Sequence, residues 1–394
     1  MDPSPDAAVE LDLRWEGPDA RHRARRVLRP GSPGLDGFPP GTGVRAGSEA
    51  DAAVQLPAGA LVPEHDPGLV RRLDAAAVVA RSPRPLRTGR FYPRGMLAPV
   101  LGGDPRDLAP LRCREAGARE VVVDLNHPLA GVPLSLAVTA REPGAGAPGD
   151  AVPSRDIARE ATAGGPGMQM RLPGRATDFG GAAGLTRADD ADDAAFYARP
   201  RLVHHLDARA REEVSRVYAR HLREGMRVLD LMTSWRSHLP AGVGALEVTG
   251  LGMNAEELRE NPQLSSWLVQ DLNGTPALPF DAGAFDAAVC TVSVEYLTRP
   301  REVMAEMARV LRPGAPFVLT FSERWFPPKV VRVWLELHPF ERMGLVADYL
   351  LEAGFTAVAT ESLHGLPRPP DDPYAGRLAE SDPVYTVAGR APGG

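Results

Sequence analysis

Four short segments in the second half of the chain carry side chains suited to holding a nucleoside-like ligand: Asp230, Gly252 to Asn254, Asp271 with Leu272, and Ser293 to Tyr296. Each sits at the end of a short apolar run. If those runs are strands of a parallel sheet, these residues lie where ligands bind, at the carboxyl ends of the strands. Carboxylates accept from hydroxyl or amino groups, backbone N–H groups bind ring nitrogens, and apolar walls sandwich a flat ring. The groups placed to move a proton are His238, Glu295, Tyr296 and the adjacent pair His204-His205. Each has a plainer reading: the histidine pair as a solvated face or local cap, Trp235 as core packing, and Glu295 as a solvated loop residue.

The elements that must position these residues are legible in the hydrophobic pattern. MRVLDL (226–231), LEVTGLGM (246–253), WLVQDL (267–272), FDAAVCTV (285–292) and PFVLTFS (316–322) read as buried parallel strands. Residues 207–222, 301–311 and 342–354 repeat apolar positions at helical spacing, and the second stops at Arg312-Pro313-Gly314. Residues 355–363 and 383–390 read as an antiparallel pair closing the sheet around a long insertion. Alternating strands and helices from Phe196 onward predict an α/β domain over 196–391.

The first 142 residues have another texture. Short β-like runs at 9–15, 50–56, 119–125 and 133–140 are separated by Gly/Pro-rich turns, which predicts a small β-rich domain. Residues 143–195 are rich in Gly, Pro and Asp and read as a flexible linker. Composition narrows the function further. The net charge is -6, which does not favour a nucleic-acid backbone as partner. The two cysteines, Cys113 and Cys290, lie far apart without a CxxC or Cys/His cluster. This argues against a disulfide framework or structural zinc and for a reducing cytoplasm. The start has neither a basic n-region nor an apolar h-region, and no run is long enough to span a bilayer, so no membrane partner is expected. The 40 Gly and 40 Pro, with many Ala and Arg, fit a GC-rich bacterial genome.

The string VLDL … VTGLGMN … VQDLNGTPALPFDAGAFDAAVC … REVMAEMARVLRPG … FVLTFS resembles the class I S-adenosylmethionine-dependent methyltransferases, in particular their type 11 group. The resemblance covers about residues 196–390. It implies a Rossmann-like fold with a seven-stranded, mostly parallel sheet and S-adenosylmethionine as cofactor. It puts Asp230 beside the methionine end of the cofactor, the 252–254 turn with Gly252 and Asn254 by the ribose, and Asp271 and Leu272 at the adenine. The 291–296 segment, with Ser293, Glu295 and Tyr296, would face the transferring methyl group. The family's glycine loop after the first strand is here Met232-Thr233-Ser234-Trp235-Arg236-Ser237-His238, so Met232, Ser234 and Trp235 become the loop's candidate cofactor contacts. Met and Trp put bulk where glycines let backbone approach a ligand. Where the family places an acidic residue after the second strand, Asn254 offers a weaker partner.

Residues 51–73 and 120–142 resemble the SlyD-like branch of FKBP-type peptidyl-prolyl isomerases, most specifically in DLNHPLAG (124–131). The resemblance implies an inserted flap domain over about 75–123 and a peptide groove for unfolded or Pro-containing chains. The family's groove tyrosine falls at Val62 and a groove phenylalanine at Leu136, with Trp15 as one aromatic of the first strand. The stretch between Trp15 and Gly34 is shortened and full of Arg. This implies a degenerate isomerase with weak or no activity, and His127 reads as a turn residue rather than a metal ligand. Three functions stay open at this point: a methyltransferase whose N-terminal arm recruits a peptide or protein acceptor, a peptide-binding chaperone or isomerase with a non-catalytic methyltransferase fold, and a small-molecule methyltransferase.

Overall fold

The structure is a computed structural model that describes residues 8–28, 53–141 and 157–393. In the first part lie β1 (Ala8–Glu16), β2 (Arg21–Leu28), β3 (Val54–Leu56), β4 (Val70–Asp74), β5 (Phe91–Pro93), β6 (Pro110–Ala116), β7 (Glu120–Asp124) and β8 (Leu134–Arg141). The second part adds β9 (Arg227–Leu231), β10 (Glu247–Gly252), β11 (Ser266–Val269), β12 (Ala287–Thr291), β13 (Pro316–Phe321), β14 (Thr356–His364) and β15 (Val384–Arg390).

Seven strands run in the order β11-β10-β9-β12-β13-β15-β14. The first five are parallel to one another, and β15 turns antiparallel between β13 and β14. Alternate residues of the central strands feed two apolar layers, because successive strand side chains point to opposite faces. Val228, Val248, Ala287, Val289 and Val318 pack with the helix Ala208–Ala219. Leu229, Leu231, Ala288, Cys290 and Phe317 pack with the helices Pro300–Val310 and Pro339–Glu352. The helix pattern read at 301–311 is correct in its inner face: Val303, Met304, Met307 and Val310 are fully buried. Each such side chain contributes about 1.5–3 kcal/mol of burial.

The sheet does not stop at seven strands. β2 adds to β14 in parallel, and β1, β8 and β3 follow antiparallel, giving one eleven-stranded sheet. Over both sheets, antiparallel pairings outnumber parallel ones. The expected pair of separate domains is thus corrected to a joined structure, and the joining strand, like β4, β5 and β6, is one the pattern missed. β2 reads RHRARRVL, too charged for a buried strand on its own. Carboxylates on its neighbours neutralise it: Arg23 bonds Asp12 in a fork at 2.8 Å, and Arg25 bonds Glu10 and Glu213 at 2.5 Å each and Glu361 at 3.1 Å.

β4, β7, β6 and β5 form a separate four-stranded antiparallel sheet over residues 70–124, with the helix Ala75–Arg81 beside it. It is held to the helix Pro339–Glu352 by a buried pair, Arg90 Nε to Glu341 Oε1 at 2.8 Å.

The linker reading is also corrected where it can be seen. Residues 142–156 lie outside the described residues, but 157–195 are folded. Ala161 and Met170 fill the core that contains Leu11, Leu13 and Trp15, and Arg171 pairs with Asp348. Asp193 is buried against Arg187 and Lys329. Lys329, the chain's single lysine, is fully buried and also reaches Asp189 at 3.0 Å. Gly and Pro here mark tight turns laid on other elements. The positions expected to line a peptide groove, Val62 and Leu136, are buried in that core with Ala161 and Met170. His127 is the turn residue expected: its ring nitrogens meet the Thr162 carbonyl and the Leu129 N–H. Among the described residues no helix is long and apolar enough to cross a membrane. No group of three or more His, Cys, Asp or Glu there can hold a metal ion.

Candidate functional site

A cleft opens at the carboxyl ends of β9, β10, β11 and β12, enclosing about 1140 Å3 including its mouth. Its lining contains Asp230, Met232, Ser234, Trp235, His238, Gly252, Asn254, Asp271, Leu272, Ser293 and Tyr296. The residues expected to share one site are therefore brought together, with one exception. Glu295 does not line the cleft; it is fully buried behind it with neither carboxylate oxygen hydrogen-bonded. Burial pushes its pKa up to about 8. It is removed from the proton-transfer candidates because no ligand in the cleft reaches it.

Asp230 is the floor of the cleft. Only 1% exposed, it accepts from the Ser237 and Thr233 hydroxyls, which ties the loop after β9 to the strand. Its Oδ2 has no partner. Burial outweighs those two hydrogen bonds and pushes its pKa from 3.8 up to about 7. A buried carboxylate with a free oxygen in a ligand cleft lacks a cation or donor, and the cationic end of a ligand supplies one.

The loop itself solves the missing-glycine problem by strain. Met232 and His238 have φ of 56°, and Val292, across the cleft, has 42°. Such left-handed backbone costs a non-glycine residue about 1–2 kcal/mol, and it concentrates at functional sites. Of the four such residues among those described, three line this cleft. We expect Met232→Gly to be about 1 kcal/mol more stable than Met232→Ala, reversing the usual order of these residues. Thermal melts of the two variants check this; an Ala variant at least as stable would show that the backbone carries no strain there.

Gly252 is glycine for a local reason. A Cβ there would lie 2.2 Å from the Thr233 carbonyl oxygen, where the loop crosses the strand. Asn254 departs from the role expected of it. Its Oδ1 caps the helix Ala255–Arg259 by accepting from Glu256 and Glu257 N–H, and its Nδ2 donates to the Tyr197 and Ala198 carbonyls. No polar side-chain atom of Asn254 is left for a ribose. The carboxylate of this region is Glu257, whose oxygens accept from the Arg201 N–H and the Ser234 hydroxyl, both at 2.6 Å. Its signal was in the sequence as Asn254-x-x-Glu257, a helix-start pattern.

Asp271 is half-buried and accepts from the Asn273 N–H, beside buried Leu272. Ser293 donates to the Thr291 and Met232 carbonyls, so it braces the strand ends. Tyr296 stacks on Phe326 at 5.8 Å, and its hydroxyl accepts from the Phe326 N–H. Burial raises that hydroxyl well above its ordinary pKa, so it is no base at neutral pH. Burial lowers His238 to about 4, which leaves a neutral imidazole lining the cleft. His204 and His205 are exposed at the rim. Trp235 is a rim residue rather than core, between His204 at 4.8 Å and Arg236 at 4.0 Å, with its indole N–H on the Val203 carbonyl.

The sequence reading missed Phe326 and Arg201. Phe326 gathers the rings of Phe196, Tyr197, His205 and Tyr296 around one end of the cleft. Its signal was an aromatic pair, Trp325-Phe326, set directly past the carboxyl end of β13 and before two prolines.

Residues 236–319 match the methyltransferase-domain family. An uncharacterised protein of Mycobacterium tuberculosis is 34% identical over 98 residues, 24% of this chain and 36% of that protein. The demethylmenaquinone methyltransferase of Paenarthrobacter aurescens is 29% identical over 150 residues, 37% of this chain and 53% of that protein. The chain thus spans between about a third and about half the length of these curated relatives. Among solved structures, an S-adenosylmethionine dependent methyltransferase of Mesorhizobium loti is similar with a TM-score of 0.30 and 18% identity. That likeness covers 44% of this chain and 96% of the other. The family match begins inside the loop after β9 and ends within β13, so it takes in β10, β11 and β12 and leaves out β9 with Asp230. Residues 236–319 are thus similar to a methyltransferase domain, a likeness that covers about a fifth of the chain.

Proposed function

We propose that the protein transfers a methyl group from S-adenosylmethionine to an acceptor held at the aromatic end of this cleft. The observation that carries the reading is the pair of carboxylates, Asp230 and Asp271, at the ends of β9 and β11 in one cleft, the first with a free buried oxygen. Asp230 would take the cofactor's ammonium end, and Asp271 with Leu272 the ribose and adenine. Glu257 replaces Asn254 as the second acidic contact near the ribose. The cofactor, when bound, supplies an electrophilic methyl group on a sulfonium. The chain's own work is then to orient the acceptor and exclude water, which supplies most of the acceleration in such a displacement. Where the acceptor carries a proton, neutral His238 is one cleft-lining group that can accept it, as a weak base, since burial lowers its pKa to about 4. The relatives named as demethylmenaquinone methyltransferases support an acceptor that carries a ring.

Calorimetric titration of the full chain with S-adenosylmethionine and S-adenosylhomocysteine tests the reading. Binding in the micromolar range, lost in Asp271→Ala, is expected. Failure of both ligands to bind at millimolar concentration would overturn it. The position of the N-terminal strands beside β14 supports a role in holding the domain.

A further inference from the structure

We infer that the acceptor end of the cleft is built for an aromatic anion, a ring bearing a carboxylate, with Arg201 as the residue that receives the charge. This rests on the reading of the cleft as a methyl-transfer site and adds the chemical class of its second ligand.

Arg201 lines the cleft, half-buried, and its guanidinium lies 4.5 Å from the Phe196 ring, 5.2 Å from Phe326 and 5.7 Å from Tyr197. Its Nη2 donates to the Phe196 carbonyl, while its Nη1 is buried with no partner. No carboxylate among the described residues stands within ion-pair distance of it. The neighbouring cations are different: Arg187 and Lys329 share Asp193, and Lys329 also takes Asp189. The acids closest to the site are spoken for. Glu257 accepts from the Arg201 backbone N–H and from Ser234, and Asp193 is held by Arg187, Lys329 and Asn273.

A guanidinium caged by rings and short of a counter-charge costs stability unless something completes it. The fork of its donors fits a carboxylate better than any single-point acceptor. The other groups facing it, Tyr197, His205 and Tyr296, carry no negative charge at neutral pH, because burial raises both tyrosines and an imidazole is never anionic there. The rings of Phe326, Tyr296 and His205 offer a flat ligand edge and face contacts. The plain alternative is a structural latch, in which Arg201 only holds residues 196–201 in place through the Phe196 carbonyl.

The two separate by ligand charge. The probes are benzoate and naphthoate against benzamide and naphthamide, neutral relatives of nearly the same shape, titrated into the full chain with and without S-adenosylhomocysteine. The acids are expected to bind at least about tenfold tighter than the amides. Arg201→Met should erase that preference, while S-adenosylhomocysteine binds as before. Arg201→Lys should keep part of it, since the charge remains and the fork is lost. Equal binding of acid and amide to the wild type overturns the proposal, and so does an acid preference that survives in Arg201→Met. The wild-type comparison needs no variant and stands even if the substitution disturbs folding. Loss of S-adenosylhomocysteine binding with the acid preference intact would strike the methyltransferase reading and leave the anion site standing.

Discussion

Asp230→Asn is expected to bind S-adenosylmethionine about 100-fold more weakly than the wild type near pH 8, and yet to melt at a higher temperature without ligand. Both effects come from one buried carboxylate. The loss of affinity follows from removing a charge-assisted contact in a buried site, worth about 3 kcal/mol. The gain in stability follows from linkage. Burial raises the Asp230 pKa from 3.8 to about 7, so the folded protein holds a proton that the unfolded chain releases. Stability therefore falls as pH climbs from about 4 to about 7 and is level above that. A shift of this size corresponds to at most about 4 kcal/mol at high pH. Asparagine never ionises and escapes that loss, so the difference between variant and wild type grows with pH through the same window. Glu295, raised to about 8, keeps its own pH dependence in both proteins and cancels from the comparison.

The cofactor affinity of the wild type moves the opposite way with pH. Below about pH 7 the cation must displace a proton from Asp230, so affinity drops about tenfold per unit and binding releases a proton. Calorimetry in buffers of different ionisation enthalpy reads that proton directly. A wild-type affinity flat from pH 5 to pH 8 would show that Asp230 serves the loop alone, through Ser237 and Thr233.

Arg25→Met is expected to destabilise the protein by about 3–5 kcal/mol, the cost of removing one partner from a buried ion cluster. Arg25 is only 9% exposed, and two of its three carboxylates come from beyond the N-terminal strands: Glu213 on the helix Ala208–Ala219 and Glu361 on β14. Burial by itself would raise Glu213 and Glu361. The surrounding arginines outweigh it and hold both below their ordinary value. Lowered carboxylates add stability above about pH 4.5 that is lost as pH falls through their folded pKa. With Arg25 gone the two acids are pushed upward. The deficit should then be largest above about pH 5 and shrink toward pH 4, where protonation relieves them. Urea or thermal unfolding across that range checks the sign. Arg14→Ala, an exposed partner of Asp12 in the same strands, is the control and should cost within about 1 kcal/mol. If the two substitutions cost the same, the cluster does not fasten β2 to β14.

The expected behaviour of these variants separates what could be read along the chain from what could not. The order of strands and helices after Phe196 was legible because each element buries one side of a regular repeat. Val303, Met304, Met307 and Val310 lie on a helical stripe, and β9 and β12 are short runs whose only polar residue away from the strand tips is Asp230. That order also put the candidate carboxylates at the strand ends, where the cleft forms.

The errors are of one kind. Glu295 and Tyr296 are neighbours in sequence, but one faces into the core and the other into the cleft, a difference set by the backbone turn at Ser293 to Tyr296. Asn254 looked like a ligand contact because its chemistry allows it, and its atoms were already spent on a helix cap and on residues 197 and 198. Arg201 and Phe326 approach each other across more than a hundred residues of chain, so no local pattern announces them. β2 was unreadable for the same reason: four arginines and a histidine in Arg21–Leu28 look like a solvated loop until Asp12, Glu10, Glu213 and Glu361 close on them. Hydrophobic spacing is a local property and determined the elements by itself. Which charge meets which, and whether a polar atom faces a ligand or another part of the chain, depends on partners distant in sequence, and only the tertiary structure decided it.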